Sequence, residues 1–426
     1  MKFLGFFILI YVVTTESAEA ANYYISRAGT DNNSCAVAMN PLTPKRNFNG
    51  ITGALACLSS GDTLIVAAGT YREAIYALYI TPGTPGNYTK IHGAPGATVI
   101  IQPSGIYGRV IEADSADGYG SSYVEFDNLV LDGINVGYDC VKINTNSHHF
   151  RIQNSEIKNC GGNGVLVGGA TGSNEFLNND IHDVGRIYYY PFPAGHGFYI
   201  ANNSNIIDGN RIHNIESYPG PSNGGIQIYC DCVDAHHNRV SNNFIYSISG
   251  GGVYMSRGDG NVAYNNVVAK AGSGFMIDNS CINCALYNNT AYGNTRYLAN
   301  SFGIGVQGSG GPTNSIVRNN ITYGNFLDWV LDDGVNTVLS NNLCGAAGTG
   351  CAIVGNPLFV DAAANNFQLS SGSPAIDAGY TLSGIVGTDV QGIARPQGSG
   401  YDIGAFEYQT NVGSNAAAPK ILRSVP

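Results

Sequence analysis

An asparagine-centred tetrapeptide recurs down the middle of the chain and dictates its architecture. It reads Phe176-Leu177-Asn178-Asn179, Val240-Ser241-Asn242-Asn243, Ala263-Tyr264-Asn265-Asn266, Leu286-Tyr287-Asn288-Asn289, Val317-Arg318-Asn319-Asn320 and Leu339-Ser340-Asn341-Asn342. Counted from the second Asn, the steps from 243 to 266 and from 266 to 289 are 23 residues, and the step from 320 to 342 is 22. That is about one turn of a parallel β-helix. The wider steps, 210 to 243 and 289 to 320, mark loops inserted between coils. A single coil cannot bury its apolar face alone, so it stacks on its neighbours and shares one continuous core with them. Asn at a bend tolerates unusual backbone angles, and stacked amides can hydrogen-bond from coil to coil as a ladder. These Asn residues are therefore read as structural, with no catalytic role.

A second repeat carries the strands. Val141-Lys142-Ile143, Val165-Leu166-Val167, Phe198-Tyr199-Ile200, Ile226-Gln227-Ile228, Val253-Tyr254-Met255, Phe275-Met276-Ile277 and Ile304-Gly305-Val306 each place apolar residues two apart, which points both into the core and the residue between them outward. The outward line reads Lys142, Leu166, Tyr199, Gln227, Tyr254, Met276 and Gly305; two residues on, a second line reads Asn144, Gly168, Ala201, Tyr229, Ser256, Asp278 and Gln307. A Gly precedes most apolar pairs, at 164, 197, 225, 252, 274 and 303. Two causes fit: a turn at positive φ, or close approach of stacked backbones.

Composition suits a rigid exported solenoid. The 57 glycines and 12% charged residues match short strands and tight turns, and 44% hydrophobic residues suffice for a long core. Residues 1–20 read as a signal peptide, with Lys2, the apolar run from Phe3 to Val13 and Ala18-Glu19-Ala20 as the cleavage site. The mature chain is expected to be secreted, extracellular or periplasmic, monomeric and without a membrane span. Ten cysteines fit an oxidising compartment. Their pairing stays open, with Cys140–Cys160, Cys35–Cys57, Cys344–Cys351 and a local Cys281–Cys284 bridge as candidates. A net charge of -10 without a basic stripe argues against nucleic acid as a partner.

The stretch Ala54 to Val66, running into Gly69-Thr70-Tyr71-Arg72-Glu73, resembles the opening of many secreted β-helix carbohydrate enzymes, polysaccharide lyases and pectin esterases among them. There a short amphipathic helix precedes G-D-T-(I/L) and then G-x-Y-x-E, and it caps the solenoid. The series Asn356-Pro357-Leu358-Phe359-Val360-Asp361, Asn366-Phe367-Gln368-Leu369, Ser373-Pro374-Ala375-Ile376-Asp377-Ala378-Gly379, Asp389 to Arg395 and Asp402 to Glu407 resembles the carboxy-terminal segment of secreted bacterial right-handed β-helix proteins of the choice-of-anchor type. That resemblance implies export and surface association rather than a reaction. The expected fold is thus an all-β right-handed parallel β-helix with an amino-terminal helix cap and a carboxy-terminal cap. Its divisions are an amino-terminal cap and first coils (21–122), coils (123–345), a cap segment (346–408) and a flexible tail (409–426). Asp377, Asp389, Arg395, Asp402 and Glu407 read as a polar cap over the last coil.

Chemistry is expected on the outward lines. Tyr199, Gln227, Tyr229 and Tyr254 would offer sugar rings an aromatic and amide platform, bordered by loops 186–193 and 216–221. A lyase acting on a uronic acid polymer needs a base and a positive group on the carboxylate. Lys142, His196, Arg257 or a deprotonated Tyr are the candidates for the base and Arg or Ca2+ for the positive group, with Asp231, Asp234 and Asp278 as calcium ligands, being hard oxygen donors. A glycoside hydrolase would need a carboxylate pair, and a non-catalytic carbohydrate-binding or adhesion protein would need only the platform. Asp332-Asp333-Gly334 is similar to the polygalacturonase pair, but Gly195-His196-Gly197 precedes it instead of following it. No Asp-Pro-His-Asp run of the alginate epimerases occurs, and Lys142 lacks the several nearby Asp residues that surround the Lys of pectate lyases.

Overall fold

The computed structural model describes residues 19–105, 108–114, 120–169, 172–186, 195–215, 224–229, 235–296 and 301–409. Three long parallel sheets dominate them, here called A, B and C, with 12, 12 and 10 strands. Each coil visits A, then B, then C: Ser122–Asp127 lies in A, Val130–Asp132 in B, Val141–Asn144 in C, and His148–Gln153 returns to A beside the first. Inward residues from all three sheets fuse into one core running from Ile25 to Val330. The alternation read from the sequence holds on sheet C, where Val141, Ile143, Val165, Val167, Phe198 and Ile200 are fully buried.

The Asn pairs form the two-residue turn between sheets A and B. The first Asn adopts a left-handed backbone, with φ of 56° at Asn242, 53° at Asn265 and 49° at Asn288, a region Asn reaches more readily than most side chains. The second points inward and builds the ladder. Asn179, Asn210, Asn243, Asn266, Asn289, Asn320 and Asn342 each donate to or accept from the next side-chain amide, at 2.9–3.1 Å. A parallel ladder that sequence spacing did not reveal, Asn174, Asn205, Asn238 and Asn261, lines the corner between sheets C and A. Its members lack the paired Asn that made the first ladder conspicuous.

The glycine column is explained by close approach. None of its six members has positive φ. A Cβ on Gly197 would lie 2.7 Å from the Gly225 carbonyl oxygen and 2.7 Å from Ile212 Cγ2, and the Cβ of Gly225 would meet Gly252 and Ile245 in the same way. Glycine lets sheet C turn tightly over the inward side chains of sheet B.

Both ends differ from expectation. Instead of an amphipathic helix, residues 54–60 make one 3-10 turn over Leu55–Cys57, because Gly53 and Gly61 bracket a segment too short to propagate a helix. Leu55 and Phe48 are nonetheless fully buried. The carboxy-terminal segment does not seal the last coil. It folds back as a strap along the outside of sheets A and B, where Phe367, Val390, Ala405 and Phe406 pack on Phe244, Val267 and Ala269, and Leu382, Val386 and Tyr401 pack on Ala285 and Tyr287. Outward residues of those coils are apolar and need covering, which an end cap would not do. Arg395 and Glu407 form an ion pair (2.6 Å) with both side chains fully buried, and Asp389 and Asp402 accept backbone N–H groups around it.

Four disulfides join the candidate partners: Cys35–Cys57, Cys140–Cys160, Cys281–Cys284 and Cys344–Cys351. Among the described residues no helix is long and apolar enough to cross a membrane.

Candidate functional site

Sheet C brings the aromatic row together as the outward spacing required. Tyr199 is in register with Gln227, and Gln227 with Tyr254, so the three side chains stand on adjacent strands about 4.8 Å apart. Tyr254 leans back along its own strand. A Cβ on Gly251 would fall 2.2 Å from its ring, and its hydroxyl is bonded to Ser273 Oγ. Beside the row, the Arg257 guanidinium sits 5.5 Å from the centre of the Tyr229 ring, a cation–π contact.

A bulge completes this end of the face. Met255 pairs with Ile277, but Arg257 pairs with Ser280, so Asp278 and Asn279 oppose Ser256 alone. The extra residue is accommodated by φ of 51° at Asn279, and such bulges re-aim side chains. Gln227 Nε2 donates to Ser256 Oγ (2.8 Å), and Ser256 in turn hydrogen-bonds Asp278. Burial pushes the Asp278 carboxyl up from its ordinary value, although hydrogen bonds from the Asn279 amide and Ser256 oppose the shift. Asp278, a calcium-ligand candidate in the sequence, is a half-buried carboxyl linked to Gln227 through Ser256.

The other nominated residues fare differently. His196 is 6% exposed, and burial pushes its imidazole down to about 4. Its Nδ1 accepts the Gly224 N–H at 3.0 Å, so the neutral ring carries its proton on Nε2 and has no lone pair left to act as a base. His196 thus lies buried with its ring centre 5.6 Å from that of Tyr199 and its Nδ1 tied to the backbone. Lys142 lies two strands from Tyr199, through Leu166, and its ammonium is held 2.5 Å from the nearly buried Asp114 carboxylate. Acting as a base would require breaking that pair. Asp231 and Asp234 lie outside the described residues, as do residues 187–194 and 216–223. Among the described residues, no group of three or more His, Cys, Asp or Glu side chains comes together to hold a metal.

Sheet B holds an ionisable cluster that the sequence reading missed. In Glu156-Ile157-Lys158, Asp180-Ile181-His182, Arg211-Ile212-His213 and Phe244-Ile245-Tyr246 the central Ile points inward and its neighbours outward. The rings of His182, His213 and Tyr246 stack 5.0 and 4.9 Å apart. Glu156 and Asp183 take both nitrogens of His182, at 3.0 and 2.6 Å. Burial would lower this imidazole, but the two carboxylates outweigh it and the value rises. Burial would raise Asp180, yet bonds from His213 and Arg211 hold it down at about 2. The signal was present in the x-Ile-x triplet that follows the A–B turn of these four coils. Beside Lys142, Arg109 bonds Glu112 at 2.7 Å, and neither was singled out from the sequence.

Comparison with known proteins agrees with this architecture. The family model described as "Right handed beta helix region" matches residues 191–344. Among solved structures, the chain is similar to the crystal structure of pectate lyase Pel9A, at 17% identity and a TM-score of 0.62, covering 92% of this chain and 98% of that one. It is also similar to the complex structure of XylC with xylose, at 12% identity and a TM-score of 0.51, covering 76% of this chain and 75% of that one. No curated protein sequence matches it. By fold, then, the chain is a right-handed parallel β-helix protein.

Proposed function

We propose that the protein is exported and acts on a polysaccharide laid against sheet C, and that the polymer contains uronic acid and is cleaved by β-elimination. The observation that carries the reading is the outward arrangement of Tyr199, Gln227 and Tyr254 on successive strands with Arg257 stacked on Tyr229 at their edge. Rigid aromatic faces and an amide suit sugar rings, and a guanidinium suits a uronate carboxylate. Arg257 would neutralise that carboxylate as the neighbouring carbon loses its proton. With His196 buried and Lys142 paired, the base would be Lys142 once released from Asp114 or a deprotonated Tyr of the row. The shared fold with a pectate lyase is compatible with this chemistry, but fold alone does not assign it.

Hydrolysis is the second reading, and Asp278 favours it. A carboxyl raised by burial beside a sugar platform is what a general acid requires. The decisive experiment incubates the purified protein with pectate, alginate and neutral glycans, with calcium and then with EDTA, and follows both unsaturated-sugar absorbance and reducing ends. Absorbance on a uronate polymer supports β-elimination, and its loss with EDTA adds calcium to the site. Reducing ends without absorbance support hydrolysis. Binding with neither makes the face a carbohydrate-binding surface, and no binding to any polymer overturns the proposal.

A further inference from the structure

An open pocket lies on a different face of the solenoid from sheet C. It offers about 460 Å³ between the outer surface of sheet B and the strap, lined by Tyr292, Tyr323, Asn356, Leu358, Phe359, Ala362 and Ser370. That volume falls within the range of small-molecule sites. Tyr292 and Tyr323 come from adjacent strands, with their rings 6.4 Å apart and 26° from parallel. Tyr292 is wedged in place by Phe359 and Phe367, at 5.8 and 5.2 Å, so one aromatic wall is rigid before any ligand arrives. Leu358 forms the lip. It is 39% exposed and holds a φ of 52°, unfavourable for a branched side chain. Bonds from its N–H to Asn356 Oδ1 (2.9 Å) and to its carbonyl from the Ser370 N–H (2.8 Å) keep it there.

We infer that this pocket is an accessory binding site for a neutral sugar unit of a glycan chain, separate from sheet C. The chemistry of the walls selects the ligand. Two tyrosine rings and Phe359 offer flat apolar surface for the C–H face of a sugar ring. Two phenol hydroxyls, the Asn356 amide N–H₂ and the Ser370 hydroxyl offer donors and acceptors for its hydroxyl groups. No lining residue carries a charge, so a uronate would leave water without a counter-charge, and a purely apolar ligand would strip the polar groups without replacing their hydrogen bonds. A strap spanning from the carboxy-terminal hairpin to sheet B thus does more than cover apolar strands: it supplies half of a ligand pocket. The inference rests on this pocket alone and stands whether or not sheet C cleaves anything.

The test is calorimetric titration of the whole protein with xylohexaose, cellohexaose and mannohexaose. Four proteins are compared: the unaltered chain, Tyr323→Ala, Ser370→Trp to fill the pocket, and Tyr199→Ala on sheet C. The expected result is binding of one neutral hexaose that weakens about tenfold or more in Tyr323→Ala and Ser370→Trp but is unchanged in Tyr199→Ala. Circular dichroism melting confirms that each variant folds, and Ser370→Trp keeps the test valid if Tyr323→Ala does not. Binding of no hexaose overturns the inference. So does binding that survives both pocket variants, or that disappears only in Tyr199→Ala, which would return the sugar to sheet C without touching the lyase reading.

Discussion

The two asparagines of each A–B turn do different work. Asn266 accepts from the N–H and Nδ2 of Asn243 and donates to the Val240 carbonyl and to Asn289. Asn266→Ala would leave two buried donors and a carbonyl unpaired, a loss of about 2–4 kcal/mol. Asn242 faces outward and donates to the Asp208 carboxylate. Asn242→Gly keeps the left-handed backbone and should cost about 1 kcal/mol. Denaturant melts of the two variants check the difference, and an equal loss would contradict the division of labour. On sheet B, the raised His182 contributes stability that is fully present below its unfolded value of about 6.5 and is lost as pH rises through its higher folded value. The depressed Asp180 works in the opposite direction: its contribution is present above about pH 4 and fades as pH falls towards about 2. The stability gap between the unaltered chain and His182→Gln should therefore narrow at alkaline pH, and the gap to Asp180→Asn should narrow in acid.

At the scale of elements, the strap and the sheets explain each other. Asn265, Asn288, Asn319 and Asn341, the outward members of four successive turns, donate to the carbonyls of Thr388, Asp402, Tyr380 and Ala378. Arg395 anchors the arrangement through Glu407, the Gly404 carbonyl and Asn265 Oδ1. Arg395→Met leaves the Glu407 carboxylate buried without its partner, and a loss of about 3–5 kcal/mol is expected; chemical denaturation reads it, and a loss below about 1 kcal/mol would show the pair to be dispensable. On sheet C the bulge at Asp278 interrupts the regular strand and sets this carboxyl against Ser256. If Asp278 is the general acid of a hydrolase, Asp278→Asn removes the upper limb of the pH–rate profile. In a lyase the same change alters affinity and leaves that profile in place.

For the molecule as a whole, the disulfides should rank by loop length. Cys140–Cys160 closes 20 residues and Cys281–Cys284 only 3, worth about 3 and about 1.5 kcal/mol in the chain-entropy account. Replacing each pair by Ala and comparing melting temperatures tests the order. Much of this solenoid was legible in the sequence. The coil period, the inward and outward alternation on sheet C and the Asn ladder all follow from contacts made once per coil at nearly constant spacing. The site was legible only as a row. Tyr199, Gln227 and Tyr254 stand where alternation puts them, whereas the burial of His196 and the pairing of Lys142 depend on neighbours one coil away, across insertions of variable length.

What the sequence determined by itself is therefore what repeats: strand direction, core face, turn chemistry and the axial stacking of like residues. Only the tertiary structure decided where the last 50 or so described residues lie, because the strap meets sheets A and B through contacts such as Asn265 to Thr388, 123 residues apart. No local periodicity encodes such a contact. The pocket formed there, and the ionisable cluster on the uncovered half of sheet B, arise from the same cause: outward side chains are free to vary from coil to coil, and their meaning is set by what the rest of the chain brings against them.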